Sequence, residues 1–147
     1  MMKKYLVSLI LALSQMTLFA VQTPNEISVD ICIYGGTSAG VISAYTAAKA
    51  GKKVILVTQG GRLGGLSSGG LGMTDIGNKY VVSGLALDFY RKLGNHYGSF
   101  ESWIFEPKVA LQIFNDYIKE ANVEVWYHQQ LIAVAKEGKS ISEISIA

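Results

Sequence analysis

The sequence predicts an α/β fold in which a βαβ unit founds a parallel sheet, followed by two further helices and a C-terminal β-hairpin. Three patterns predict it. Two apolar runs of strand character, Ile27–Tyr34 and Val54–Val57, flank an Ala-rich stretch. Downstream, Ser83–Tyr97 and the segment opened by Pro107 carry apolar residues at helical spacing. The last third returns to short β-branched runs parted by Lys136-Glu137-Gly138-Lys139-Ser140.

A chain of 147 residues, half of them apolar, allows one domain. With 2 Pro, 1 Cys and 16% charged residues it is neither collagen-like, disordered nor a disulfide scaffold. The net charge of +2 includes Lys3 and Lys4, without which the balance is zero. No long-range positive field gathers nucleic acid or acidic lipid, so neither partner is expected.

Residues 1–22 read as a signal peptide: two lysines, an uncharged run from Tyr5 to Phe19, then the polar VQTPNE. That run is shorter than the ~20 residues that span a bilayer, so no stable membrane anchor is expected. Cleavage is placed after Ala20 or within the next few residues. No Cys lies nearby for a lipid anchor, and export to the periplasm or the exterior is the expectation. Residues 23–147 then form the folded part.

In ISVDICIY, Val29, Ile31 and Ile33 alternate with Asp30 and Cys32, as in a strand. Cys32 is expected to be a small buried hydrophobe rather than a reactive thiol. Gly35-Gly36-Thr37-Ser38-Ala39-Gly40 follows at once, and Ala44, Ala47, Ala48 and Lys49 favour a helix that Gly51 ends. Val54–Val57 is continuously apolar, as a central parallel strand covered on both faces should be.

The strand–turn–helix context makes the glycine turn Rossmann-like. Gly35 can adopt angles closed to other residues, and Gly40 has no side chain to hold helix from sheet. Free N–H groups at the helix start favour a pyrophosphate. Thr37 replaces the usual middle glycine, an exchange partly offset by Gly36 and by the Thr37 and Ser38 hydroxyls. At the end of the second strand, where a carboxylate usually meets the adenosine ribose, stand Thr58 and Gln59. A tight turn with no ligand is the competing reading.

From Gly60 to Gly77 eight of eighteen residues are glycine, a composition that predicts an irregular loop rather than regular structure. Leu63, Leu66, Leu71, Met73 and Ile76 are too apolar for a surface linker. The loop is therefore expected to lie against something large and partly apolar. Arg62 could meet a phosphate, and Ser67 and Ser68 could donate further hydrogen bonds.

YGGTSAG, LGGLSSGGLG, TDIGN, SGLALDFYRKLGNHYG and WIFEPKVALQIF occur in this order. From Ile27 to its end the chain resembles the secreted bacterial FAD-dependent oxidoreductases of the glutathione-reductase-like flavin superfamily. The resemblance implies FAD as cofactor, with Gly35, Thr37, Ser38 and Gly40 at its pyrophosphate and Thr58 facing the adenosine ribose. It runs Gly64, Gly65, Ser67, Ser68, Gly69 and Gly70 along pyrophosphate and flavin, and brings the backbone of Leu131 to the adenine. Thr58 departs from the Glu frequent in the superfamily, and Lys108 from a His, so no catalytic role passes to Lys108. Family members continue for several hundred residues, so the chain is expected to be an incomplete domain, the N-terminal part of the FAD-binding fold, inert alone.

Leu85, Leu87, Phe89, Tyr90, Leu93 and Tyr97 form one packing stripe; Leu111, Phe114, Tyr117 and Ile118 form another. Val123–Tyr127 is expected as the third parallel strand, then the hairpin of Leu131–Ala135 and Ile141–Ile146. His96 and His128 are isolated, and no metal site is expected. The function expected is that of the FAD-binding portion of an exported oxidoreductase acting on a small organic substrate. The alternatives are a non-catalytic remnant and an NAD-binding domain. Asp75 and Glu106 are as well suited to capping as to chemistry, and no catalytic residue is assigned.

Overall fold

The structure, a computed structural model, describes residues 26–147. The signal peptide expected over residues 1–22 lies outside the described residues. The elements are β1 (Ile31–Tyr34), α1 (Ser38–Lys49), β2 (Val54–Val57), α2 (Gly65–Gly69), α3 (Gly84–Tyr97), α4 (Pro107–Glu120), β3 (Glu124–Trp126), β4 (Leu131–Glu137) and β5 (Ser140–Ile146), with one 3-10 turn at Lys79–Val81.

Strands β1, β2 and β3 form a parallel sheet in that order, paired Ile31 with Val54 and Val57 with Trp126 at the two ends of β2. Every residue of β2 is buried, as its unbroken apolar run predicts. β1 begins four residues later than expected. The chain at Asp30 wraps around Lys53 instead: Asp30 N–H donates to the Lys53 carbonyl (2.9 Å), and Lys53 N–H donates to the Asp30 carboxylate (2.8 Å). The ladder therefore opens only at Ile31, where its partner strand starts.

The helices gather over one face of the sheet. Ile33, Val54, Leu56 and Val125 point into a core completed by Val41 and Ala44 of α1, Phe89 and Leu93 of α3, and Val109, Ala110, Ile113, Phe114, Tyr117 and Ile118 of α4. Cys32 alternates to the opposite face on an outer strand and is exposed, which corrects its expected burial. Desolvation nonetheless holds its thiol above the usual range, consistent with an unreactive group.

Polar ties fix the helices to one another. The Tyr117 hydroxyl donates to the Asp88 carboxylate (2.5 Å) from inside the α3–α4 contact, and burial together with that bond pushes its phenol well up. Glu120 accepts from the Tyr45 hydroxyl and from Lys49, joining α4 to α1 at the surface. At the start of α4, Glu106 N–H donates to the Tyr97 hydroxyl (2.8 Å), which explains why Tyr97 ends its stripe half exposed.

The hairpin is longer than expected and its turn tighter. Glu137 pairs with Ser140, leaving Gly138 (φ 61°) and Lys139 as a two-residue connection, and the positive φ explains the glycine. The backbone N–H of Leu131, at the root of the hairpin, donates to the Tyr34 hydroxyl (3.0 Å).

Candidate functional site

The site lies at the carboxyl ends of the three parallel strands, where open α/β sheets bind ligands. Gly35 (φ 126°) turns the chain out of β1, its N–H held by the Val57 carbonyl (2.8 Å). That φ suits glycine alone. Thr37 caps α1: its hydroxyl accepts from Gly40 N–H (3.1 Å) and its carbonyl from Val41 N–H (2.9 Å). Among the described residues the N–H of Ala39 has no protein acceptor and stands at the positive end of the helix. The Thr37 hydroxyl, though it caps, keeps its own hydrogen to donate.

Gly40 lets α1 lie on the strand: a Cβ there would overlap the carbonyl oxygen of Gly35. Gly36 is buried under its neighbours, where a Cβ would stand 2.7 Å from Thr58 Oγ1 and 3.0 Å from Leu63. Two of the turn's glycines thus serve close packing. At Gly35 nothing lies within 4 Å of where a side chain would point, so the turn stays open there.

The glycine-rich segment is stapled onto this turn. Gly64 N–H donates to the Gly36 carbonyl (2.8 Å), and Thr37 and Gly64 bridge in parallel. Gly65 passes so close to Thr37 that an added Cβ would lie 3.4 Å from its Cα. Residues Gly65–Gly69 then form a short helix, which corrects the irregular loop expected from composition. The physical reason is Ser68: 2% exposed, its hydroxyl donates to the carbonyl of Leu63 and closes the segment on itself. That side chain faces the loop interior. Ser67 is half buried, whereas Gly69 and Gly70 are exposed with open space beside them. Arg62 is exposed, two residues before Gly64.

A second strap was invisible in the sequence. Phe105 N–H donates to the Gly72 carbonyl (2.8 Å), Thr74 N–H to the Trp103 carbonyl (3.0 Å), and Met73 bridges Ile104. A Cβ on Gly72 would overlap the Phe105 carbonyl oxygen, so this glycine too permits two backbones to touch. The strap leaves Leu66, Leu71, Met73 and Ile104 exposed around the loop. Glu106 pairs with Lys108 (3.1 Å) on the surface, and Asp75 is exposed.

At the far end of the crevice, Thr58 is 5% exposed and its hydroxyl accepts from Gly60 N–H (3.3 Å). Its side chain turns toward Gly36. The neighbouring Gln59 instead lines a cleft of about 380 Å³ with His128, Gln129 and Gln130. Leu131 stands at the margin of this region, its N–H already engaged by Tyr34. In the sequence His128 stands isolated. No signal in the sequence reveals it, because the strand register slips at His128 (φ 57°): Thr58 N–H donates to the Trp126 carbonyl, but it is Gln129 N–H that returns to the Thr58 carbonyl.

Among the described residues no helix is long and apolar enough to cross a membrane, and no three His, Cys, Asp or Glu side chains gather as a metal site.

Comparison with known proteins agrees with this geometry. The family model described as FAD dependent oxidoreductase matches residues 30–147. No curated protein matches the chain in sequence. THI4 from Thermovibrio ammonificans is similar in structure at 12% identity and a TM-score of 0.53, over 99% of this chain and 54% of that one. Glycine oxidase from Bacillus cereus is similar at 12% identity and a TM-score of 0.56, over 82% and 53%. L-proline dehydrogenase from P. horikoshii gives 12% and 0.56, over 78% and 48%. At such identities the likeness is one of fold, and the chain spans about half the length of these three structures.

Proposed function

The chain belongs to the FAD dependent oxidoreductase family, and from that premise we propose that it is the FAD-binding portion of an exported flavin oxidoreductase acting on a small organic substrate. The observation that carries the reading is the staple between the two glycine segments, the Gly64–Gly36 hydrogen bond and the Thr37–Gly64 bridge. It makes one continuous backbone cradle of a turn and a loop that lie far apart in the sequence.

The residues present fit the cofactor. Gly35, Gly69 and Gly70 leave open the space that side chains would occupy, so an elongated dinucleotide can lie against bare backbone. Bound there, FAD supplies the hydride or electron-pair chemistry. The chain's own groups bind and orient. The Ala39 N–H and the dipole of α1 favour the pyrophosphate charge, and the Thr37 hydroxyl can donate to it. Gly64 and Gly65 bring the loop backbone beside the same phosphates, with Arg62 close by in sequence to add positive charge. Ser67, Gly69 and Gly70 carry the cradle onward toward the flavin. Export is supported by the charged and then apolar opening of the sequence.

Reconstitution tests this reading. Purified protein incubated with FAD or NAD and passed through gel filtration is expected to retain FAD absorbance and to lose NAD. A folded chain, by circular dichroism, that retains neither would mark a remnant without a cofactor. Retention of NAD in place of FAD would reassign the site to a nicotinamide nucleotide.

A further inference from the structure

We propose that Gln59 and His128 together read the ribose hydroxyls at the adenosine end of the dinucleotide, in place of the carboxylate that such sites ordinarily place there. The inference rests on the FAD reading above and deepens it at one end of the crevice.

Backbone geometry brings the pair together. Beyond the last rung between β2 and β3, Thr58 N–H donates to the Trp126 carbonyl (2.9 Å) and Gln129 N–H to the Thr58 carbonyl (3.0 Å). The two strand ends stay tied, with one extra residue, His128, inserted between the two bonds, and Gln59 and His128 both line the 380 Å³ cleft. His128 holds φ 57°, a conformation uncommon for a residue with a side chain. The turn sets its ring over Gly61, where an added Cβ would lie 2.9 Å from Cε1 and 3.1 Å from Nε2. A non-glycine residue in the left-handed region beside a glycine that makes room for its ring is the kind of outlier that accompanies ligand clamps.

The chemistry of the cleft then selects the ligand. Thr58, which takes the usual acidic position, is turned inward and buried. The Gln129 amide is engaged by the Tyr127 carbonyl (3.2 Å). Among the described residues no protein group hydrogen-bonds the Gln59 amide or the His128 ring, and no carboxylate lines the cleft. An amide offers a donor and an acceptor, and a neutral imidazole offers one of each. That set matches a vicinal diol, whose two hydroxyls both donate and accept. It contributes no negative charge to repel the neighbouring phosphates.

The test uses Gln59→Ala and His128→Gly, the latter because glycine keeps the positive φ while removing the ring. Calorimetric titration with FAD and with ADP is run on the parent and both variants, with thermal melts to confirm that each is folded. Each variant is expected to bind FAD and ADP roughly 3- to 10-fold more weakly, by the same factor for both ligands, as loss of one neutral hydrogen bond implies. Parent-like affinity for both ligands in folded variants would overturn the assignment while leaving the FAD reading intact. Weakening for FAD alone, with ADP unchanged, would also overturn it, since the adenosine half is common to both. A parent that binds neither ligand would overturn the FAD reading and this inference with it.

Discussion

Gly40→Ala is expected to abolish FAD retention and to lower the stability of the chain by about 1–3 kcal/mol or more. The added methyl overlaps the carbonyl oxygen of Gly35. Both atoms belong to backbone or are rigidly attached to it, so no rotamer change relieves the contact. Only a shift of α1 away from β1 does. That shift moves the capped helix start, with the Ala39 N–H and the Thr37 hydroxyl, out of register with the glycine loop stapled to Gly36. A thermal melt and an FAD titration of the same variant check both parts. Gly69→Ala is the stability control, because nothing lies within 4 Å of its added Cβ; its melting temperature should stay at the parent value.

Gly64→Ala is expected to be as damaging for two separable reasons. Its φ of 95° lies where L side chains rarely go, at a strain of about 1–3 kcal/mol. Its Cβ would also overlap the ring of Phe114, which is fully packed in the core against Phe89. Displacing that ring costs roughly another 1–3 kcal/mol. The double variant Gly64→Ala, Phe114→Leu separates the two. Relative to Phe114→Leu alone, the second substitution should then cost only the backbone part. Full additivity in the double-variant cycle would show that the ring contact contributes nothing.

Much of the fold is written locally in the sequence. The βαβ unit follows from two apolar runs around an Ala-rich helix, and β2 is as buried as its composition requires. Gly40 was legible because the spacing of a strand, a turn and a helix already states which residue lies at the crossing. What escaped depends on partners distant in sequence. Glycine content argues against helix at Gly65–Gly69, yet one buried hydroxyl, Ser68 on Leu63, closes the turn there. Composition reports entropy and is blind to that bond. Cys32 sits in an apolar run, but burial on an outer strand depends on which face the helices cover. Gly72 is one more loop glycine in the sequence, and only the crossing of Trp103–Phe105 gives it a packing role.

The cofactor end of the crevice divides the same way. The glycine turn proposed to hold the pyrophosphate is contiguous, so the sequence displays it. The far end is assembled from two strand ends some seventy residues apart in the chain, and the tie of Gln129 N–H to the Thr58 carbonyl, past the positive-φ residue His128, puts Gln59 and His128 on one cleft. Thr58 shows the converse. Its position in sequence points to the ribose, while its side chain is drawn inward by Gly60 N–H and by the space that Gly36 leaves beneath it.

If the turn and the glycine loop act as one cradle for FAD, both must respond to the cofactor together. Amide NMR of the chain titrated with FAD tests it most directly. Shifts are expected to cluster in two stretches, residues 35–40 and residues 64–70, and to saturate together with one dissociation constant. A folded spectrum that stays unchanged on adding FAD, or shifts confined to the β4–β5 hairpin, would contradict it.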